Sequence, residues 1–227
     1  AAILGPDGAG KSSLLNAMAG GVRKTSGQVL VKGQDCLPLA AKQRARRLAL
    51  VRQQIPLLPG VRVEEALEMG RYAWGGPLRA DPGAKAAVAE AARAFGLEEL
   101  LNADCAALSQ GQRQLVHLAR AMVQSAPVLL LDEPGSALDF SNTHRLFRLL
   151  GEQLARGGRC AAAVLHDPAL ALRYCSPVLL LKEGRIVERL EPSTCTAPQT
   201  ERALGLLYPG IRVKEDKETG HLLCTIE

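Results

Sequence analysis

An α/β fold built on a largely parallel sheet is what this sequence predicts, on three observations. Strand-like apolar runs alternate with helix-like segments, the pattern of a sheet covered by helices. The first run, Ala1-Ala2-Ile3-Leu4, enters a glycine-rich loop that opens directly into a helix. A long block of helix formers, from about Arg62 to Met122, interrupts the alternation like an inserted subdomain.

In chain order, Ala1 to Leu4 reads as a short buried strand and Ser13 to Ala19 as a helix, stopped by Gly20-Gly21. Gln28 to Gly33 alternates like a half-exposed strand ending in a glycine turn. Ala40 to Arg47 is helical in composition, and Leu48 to Val51 is a buried-type strand followed by Gln53-Gln54 and a loop through Pro56 and Pro59. Within the helical block, Val63, Ala66, Leu67 and Gly70 share a face, and Ala84 to Phe95 is rich in Ala, Glu and Arg. Strand texture returns at Val128 to Leu131 and Cys160 to Leu165, with an amphipathic helix from Thr143 to Ala155 between them. Val178 to Leu181 and Arg185 to Leu190 flank Lys182-Glu183-Gly184 as a hairpin, and Ile211 to Glu215 with His221 to Ile226 reads as another. The resulting division is 1–61, first part of the core; 62–126, helical insertion; 127–227, second part of the core with a β tail.

Composition narrows the function classes. At 227 residues the chain buries a full core. It contains no apolar run of the ~20 residues that span a bilayer and nothing resembling a signal peptide, so the expectation is a soluble intracellular protein. Six scattered cysteines without a C-x-x-C pair point to reduced thiols rather than a metal or disulfide framework. The net charge of +5 is modest, Arg44, Arg46 and Arg47 read as a solvated face, and aromatics at 3% are too few for base-stacking platforms; no nucleic-acid partner is expected.

Three motifs carry chemistry. Gly5-Pro6-Asp7-Gly8-Ala9-Gly10-Lys11-Ser12 satisfies G-x-x-x-x-G-K-[ST] between a strand and a helix. Its glycines let successive backbone N–H groups face an anion at a helix N-terminus, Lys11 reaches β- and γ-phosphates, and the Ser12 hydroxyl suits Mg²⁺. The apolar run Val128 to Leu131 ends in Asp132-Glu133, two carboxylates at a strand's C-terminal edge: one to hold Mg²⁺ through water, one to polarise an attacking water. Leu108-Ser109-Gln110-Gly111-Gln112 precedes a helix through Leu115, Leu118, Ala119 and Met122, with Ser109 as its N-cap.

In this order the three motifs resemble the nucleotide-binding subunit of an ATP-binding cassette (ABC) transporter, over essentially the whole chain. The resemblance implies a P-loop NTPase (RecA-like) core with an inserted α-helical subdomain and peripheral antiparallel strands, and ATP and Mg²⁺ as ligands. It assigns nucleotide binding to Gly5, Pro6, Asp7, Gly8, Ala9, Gly10, Lys11, Ser12 and Ser13. Ser109, Gln110, Gly111 and Gln112 match the segment that closes over ATP held by a second subunit, and Ser136-Ala137-Leu138-Asp139 the loop crossing that dimer interface. Glu133, His166 and Gln53 match the catalytic set, with Gln54 competing for the glutamine role; Ser12, Gln53 and Asp132 match the metal set. The implied partners are a second copy, transmembrane permease subunits and, indirectly, a substrate-binding protein, at the cytoplasmic face of the membrane. A soluble ABC ATPase, as in iron–sulfur assembly or DNA repair, is the rival reading, and an ATP-binding regulator without turnover a third.

Three positions depart from the family pattern. Gln110 replaces the first glycine of the signature and is strained if that position needs positive φ. Asp7 stands where Asn is common, and Gly135, where Thr is common, is expected to loosen its loop. Met69-Gly70-Arg71-Tyr72, Leu165-His166-Asp167-Pro168-Ala169-Leu170-Ala171 and the segment Leu206 to Val213 resemble the importer branch for iron-siderophore, haem or cobalamin complexes. Family members carry tens of residues before the phosphate loop, including an aromatic that stacks on adenine, whereas the first aromatic here is Tyr72. The expectation is an N-terminally incomplete chain, or one with little adenine contact. Stacking is worth roughly 1–3 kcal/mol, so ATP affinity is expected to fall about tenfold with poor discrimination against GTP.

Overall fold

The computed structural model describes residues 1–22, 26–53, 59–75 and 81–226. Gln54 and Pro56 lie outside them. The elements are β1 (Ala2–Leu4), α1 (Lys11–Met18), β2 (Leu30–Val31), β3 (Gln34–Asp35), α2 (Ala41–Ala45), β4 (Leu48–Val51), α3 (Val63–Glu68), α4 (Ala84–Phe95), α5 (Gln110–Val123) and β5 (Val128–Asp132). There follow α6 (Phe140–Arg156), β6 (Cys160–Val164), α7 (Pro168–Tyr174), β7 (Val178–Lys182), β8 (Arg185–Leu190), α8 (Ala197–Leu204), β9 (Ile211–Glu215) and β10 (Leu222–Ile226). A 3-10 turn, Met69–Ala73, continues α3. The chain forms two compact units, Ala1–Asn16 with Ala162–Glu227, and Ala17–Ala161.

In the first unit β1 is the central strand. It pairs in parallel with β6 (Ala2↔Ala163) and with β7 (Ala2↔Val178 to Leu4↔Leu180), and its three side chains are fully buried, as its apolar sequence requires. The strand order there is β6-β1-β7-β8. β7 and β8 form the expected hairpin through Glu183 (φ 51°) and Gly184 (φ 75°), the left-handed pair that matches strand twist. All of β8 except Leu190 is exposed, and its Arg and Glu residues discourage further pairing at that edge. α8 packs on β9 and α7 against β10, while β9 and β10 pair antiparallel from Ile211↔Ile226 to Glu215↔Leu222.

In the second unit β4 and β5 pair in parallel from Leu48↔Val128 to Val51↔Leu131. α3 and α4 pack on α5, and α5 also packs on β4, so this helix is buried on most of its circumference. Leu67, Leu118, Leu129 and Leu130 are completely buried. α4 ends at Gly96, left-handed at φ 65°, whose N–H closes onto Ala92 and Arg93 carbonyls.

Five elements of the structure depart from the expectation. The predicted strand Gln28–Gly33 is a two-residue strand, β2, paired with β3 across Lys32 (φ 51°) and Gly33 (φ 78°). The strand begins two residues later than the alternation suggests, while the turn falls at Lys32 and Gly33. α1 starts at Lys11 rather than Ser13. α6 starts at Phe140 rather than Thr143, because Asp139 accepts the Asn142 N–H at 2.8 Å and caps it there. α7 and α8 were not anticipated. Both are short, but α8 carries a legible signal in the Thr196–Gln199 capping box.

Candidate functional site

In the first unit, β1 delivers the chain into the loop from Gly5 to Lys11. Gly8 and Gly10 adopt φ of 79° and 97°, conformations that only glycine takes without strain. A Cβ on Gly5 would run into the Leu181 carbonyl oxygen, and the Gly184 N–H donates to the Ala9 carbonyl at 3.1 Å; the β7–β8 hairpin thus braces the loop from outside. Lys11 is the first residue of α1 and is buried at 7% exposure. Its Nζ donates to the carbonyls of Gly5 (2.8 Å) and Pro6 (3.0 Å) and lies 3.8 Å from the Asp7 carboxylate. The ammonium is thereby fixed inside the loop.

His166 follows β6, and its Nδ1 is 3.7 Å from the same Asp7 carboxylate. The Tyr208 hydroxyl donates to the His166 carbonyl at 3.4 Å, tying the histidine to the tail. Burial, reinforced by the negative charges of Asp167 and Asp7, pushes the Tyr208 phenol up to about 12, so it remains a donor. Asp7, the extra negative charge the sequence set against phosphates, faces Lys11 and His166.

In the second unit the geometry centres on the end of β5. Asp132, its last residue, is buried at 8% exposure. Glu133 turns left-handed at φ 51°, an uncommon conformation for a non-glycine residue and one that concentrates at functional turns. Gln53 donates from Nε2 to Glu133 Oε2 at 2.6 Å. The parallel register explains the meeting: Val51 is level with Leu131, so the residues two further on, Gln53 and Glu133, leave the sheet together.

The signature segment sits on the same unit. Ser109 caps α5, its Oγ accepting the Gln112 N–H at 3.2 Å while Gln112 Oε1 accepts the Ser109 N–H at 2.9 Å. Gln110 is the first helical residue and is not among the residues of positive φ, so the strain anticipated for it does not arise. A Cβ on Gly111 would lie 3.1 Å from Leu138 Cδ2 and 3.8 Å from the Ala137 carbonyl; the signature helix and the loop Ser136–Asp139 are in contact through that missing side chain. The loop is not loosened at Gly135. A Cβ there would meet Thr143 Cγ2 at 2.9 Å, Thr143 Oγ1 donates to the Gly135 and Leu138 carbonyls, and Ser136 Oγ donates to the Glu133 carbonyl. Thr143 occupies the space a side chain at 135 would fill.

One residue that the sequence reading passed over joins these parts. Gln114, buried at 4% exposure, donates from Nε2 to the Pro134 carbonyl at 3.0 Å and fastens α5 to the turn behind Glu133. A lone amide among the apolar positions of that helix is the signal that marks it.

No group of three or more His, Cys, Asp or Glu residues that could hold a metal is present among the described residues. The oxygens offered by Ser12, Gln53 and Asp132 are a hydroxyl, a carboxamide and a carboxylate, hard donors that fit Mg²⁺ and not a thiophilic ion. Gln53 donates through its nitrogen to Glu133, so its carboxamide oxygen is the atom that would serve a metal. Among the described residues, no helix is long and apolar enough to cross a membrane.

A family model for ABC transporters matches residues 1–136. The chain is 37% identical, over 98% of its length, to the cobalamin import ATP-binding protein BtuD of Halobacterium salinarum, and it covers 55% of that protein, about half its length. It is 40% identical to the hemin import ATP-binding protein HmuV of Pseudomonas putida over 97% of this chain and 86% of that one. The dimeric structure of a bacterial ABC transporter cassette matches 84% of this chain and 84% of its own with a TM-score of 0.74 and 27% identity.

Proposed function

The chain belongs to the ABC transporter family, and from that premise we propose that it hydrolyses ATP to drive an importer of iron-siderophore, haem or cobalamin-type complexes. The observation that carries the reading is the Gln53–Glu133 hydrogen bond at the end of β5. It holds a carboxylate in one orientation at a strained turn, as a base that must meet a single water requires.

Each residue then has a task. The loop amides from Gly5 to Gly10, with Pro6, Asp7 and Ala9 shaping the turn, cradle the phosphates of ATP; Lys11 neutralises β- and γ-oxygens, and Ser13 continues the helix whose N-terminus faces them. Ser12, Gln53 and Asp132 would hold Mg²⁺, which when bound supplies positive charge to the phosphate oxygens. Glu133 orients the attacking water and accepts its proton. His166 donates to the γ-phosphate as charge develops there. Ser109, Gln110, Gly111 and Gln112 present a capped helix N-terminus to the ATP of a second copy, and Ser136 to Asp139 line the interface between the copies. Residues 62–126 act as an inserted helical subdomain between core segments 1–61 and 127–227. The dimer works peripherally at the cytoplasmic membrane face, bound to permease subunits that receive cargo from a substrate-binding protein.

Purification of the tagged chain from solubilised membranes tests the reading. Stoichiometric recovery of a transmembrane subunit, with ATPase activity, is the expected result. Recovery of an active ATPase from the soluble fraction alone would overturn the transport assignment and leave a soluble ABC ATPase.

A further inference from the structure

The second unit contains a concavity of about 570 Å³ with an unusual lining. Lys32 from the β2–β3 turn, Arg46 and Arg47 from the end of α2, and Arg159 just before β6 all reach it, together with Gln43 and the indole of Trp74. Among the described residues, no Asp or Glu lines it. Four cations gathered in one hollow repel one another, and among the described residues the hydrogen-bond partners of the arginines are neutral groups that leave the charge uncompensated. Arg46 Nε donates to the Ala73 carbonyl at 2.8 Å, Arg159 Nη1 to the Met122 carbonyl at 3.1 Å, and Arg47 to the Gln34 side chain.

The wall is also held in place. Trp74 Nε1 donates to the Gln124 carbonyl at 2.7 Å, and Gln124 Nε2 donates in turn to the carbonyls of Ala45 (2.6 Å) and Leu48 (3.1 Å). The Arg46 guanidinium lies 5.3 Å from the indole centroid, within cation–π reach of the ring. Preorganised guanidinium groups with uncompensated charge suit the tetrahedral oxygens of a phosphate, and the indole supplies a flat apolar face for whatever the phosphate carries. The volume is that of a small-molecule site rather than of a single ion.

We propose that this cavity binds a phosphate-bearing ligand of nucleotide or headgroup size, at residues that the phosphate loop does not use. Its function as a site does not depend on ATP turnover. The ligand is either a soluble phosphate ester or the headgroup of an anionic lipid, and the two arms below separate them.

Trp74 is the only tryptophan of the chain, so its fluorescence reports this cavity alone. Inorganic pyrophosphate is titrated in one arm, and vesicles of phosphatidylglycerol, with phosphatidylcholine as the uncharged control, in the other. A saturable Trp74 response to pyrophosphate assigns a soluble ligand; a response to phosphatidylglycerol alone assigns a headgroup. In Lys32→Gln/Arg47→Gln the response is expected to weaken about tenfold or more, since two charge-assisted contacts are lost. Lys11→Ala, which disables the phosphate loop, is expected to keep it. Thermal unfolding of the double variant at the wild-type midpoint keeps the comparison valid; where that variant melts early, the single Lys32→Gln, on an exposed turn, replaces it. No saturable response to either probe, a response that survives the charge removal, or one that vanishes in Lys11→Ala would overturn the proposal.

Discussion

Gln53 and Glu133, 80 residues apart in sequence, are joined by a 2.6 Å hydrogen bond because parallel strands β4 and β5 run in the register that sets Val51 beside Leu131. Glu133 cannot relax out of its left-handed turn without breaking both that bond and the one from Ser136 to its carbonyl. Replacing Gln53 with Ala frees the carboxylate. Turnover is expected to fall by about ten- to a hundredfold, with ATP affinity changed much less. Steady-state phosphate release alongside a nucleotide titration checks this; equal losses in both would place Gln53 in ground-state binding instead.

On the proposed reading Lys11 acts in the ground state, so its removal is expected to have a different signature. Lys11→Ala deletes a buried ammonium fixed by the Gly5 and Pro6 carbonyls. ATP affinity is expected to drop by about ten- to a hundredfold or more, the value of one or more charge-assisted hydrogen bonds to phosphate. Equilibrium binding of a fluorescent ATP analogue measures it, and wild-type affinity in the variant would remove Lys11 from the phosphate contacts.

Gln110 offers a test of backbone reasoning. Because it already occupies the first turn of α5, glycine relieves no strain there and costs up to about 0.5–1 kcal/mol of helix stability. Gln110→Gly is expected to leave turnover unchanged or slightly lower. Ser109→Ala, which removes the cap, is expected to cost about 1 kcal/mol in thermal or urea unfolding. A clear rise in turnover for Gln110→Gly would show that the signature does need positive φ in its working state.

Acid sensitivity follows from Asp81. The hydrogen bond from Arg71, helped by the Gly83 N–H against a smaller desolvation effect, holds its carboxyl below the ordinary value. A depressed folded-state pKa means that stability is present above the unfolded value near 4 and is lost as pH falls through the folded one. Unfolding midpoints of wild type and Asp81→Asn are therefore expected to differ at neutral pH and to converge as the pH falls through the lowered folded-state value. A difference that stays constant throughout the acid titration would show that the pair contributes nothing through its charge.

Local chemistry was what the sequence displayed best. The phosphate loop was legible because Gly8 and Gly10 must sit at positive φ, a requirement written in single residues. The same holds for the Ser109–Gln112 capping box and the continuous apolar run of β5. What the sequence could not display was set by register and packing. The Gln53–Glu133 contact needs the β4–β5 alignment, and Gln114 becomes informative only once α5 lies against Pro134. Gly135 reads as a loosening substitution until Thr143 is seen filling the space beside it. The extra negative charge of Asp7 likewise changes meaning beside Lys11 and His166.

On the proposed reading Glu133 activates water without contributing to nucleotide binding. Phosphate release and bound ATP are measured in the same samples of wild-type and Glu133→Gln protein under Mg²⁺–ATP. Turnover is expected to fall by about a hundredfold or more while bound ATP remains at or above the wild-type level. Wild-type turnover in the variant, or loss of ATP binding in parallel with activity, would contradict the account.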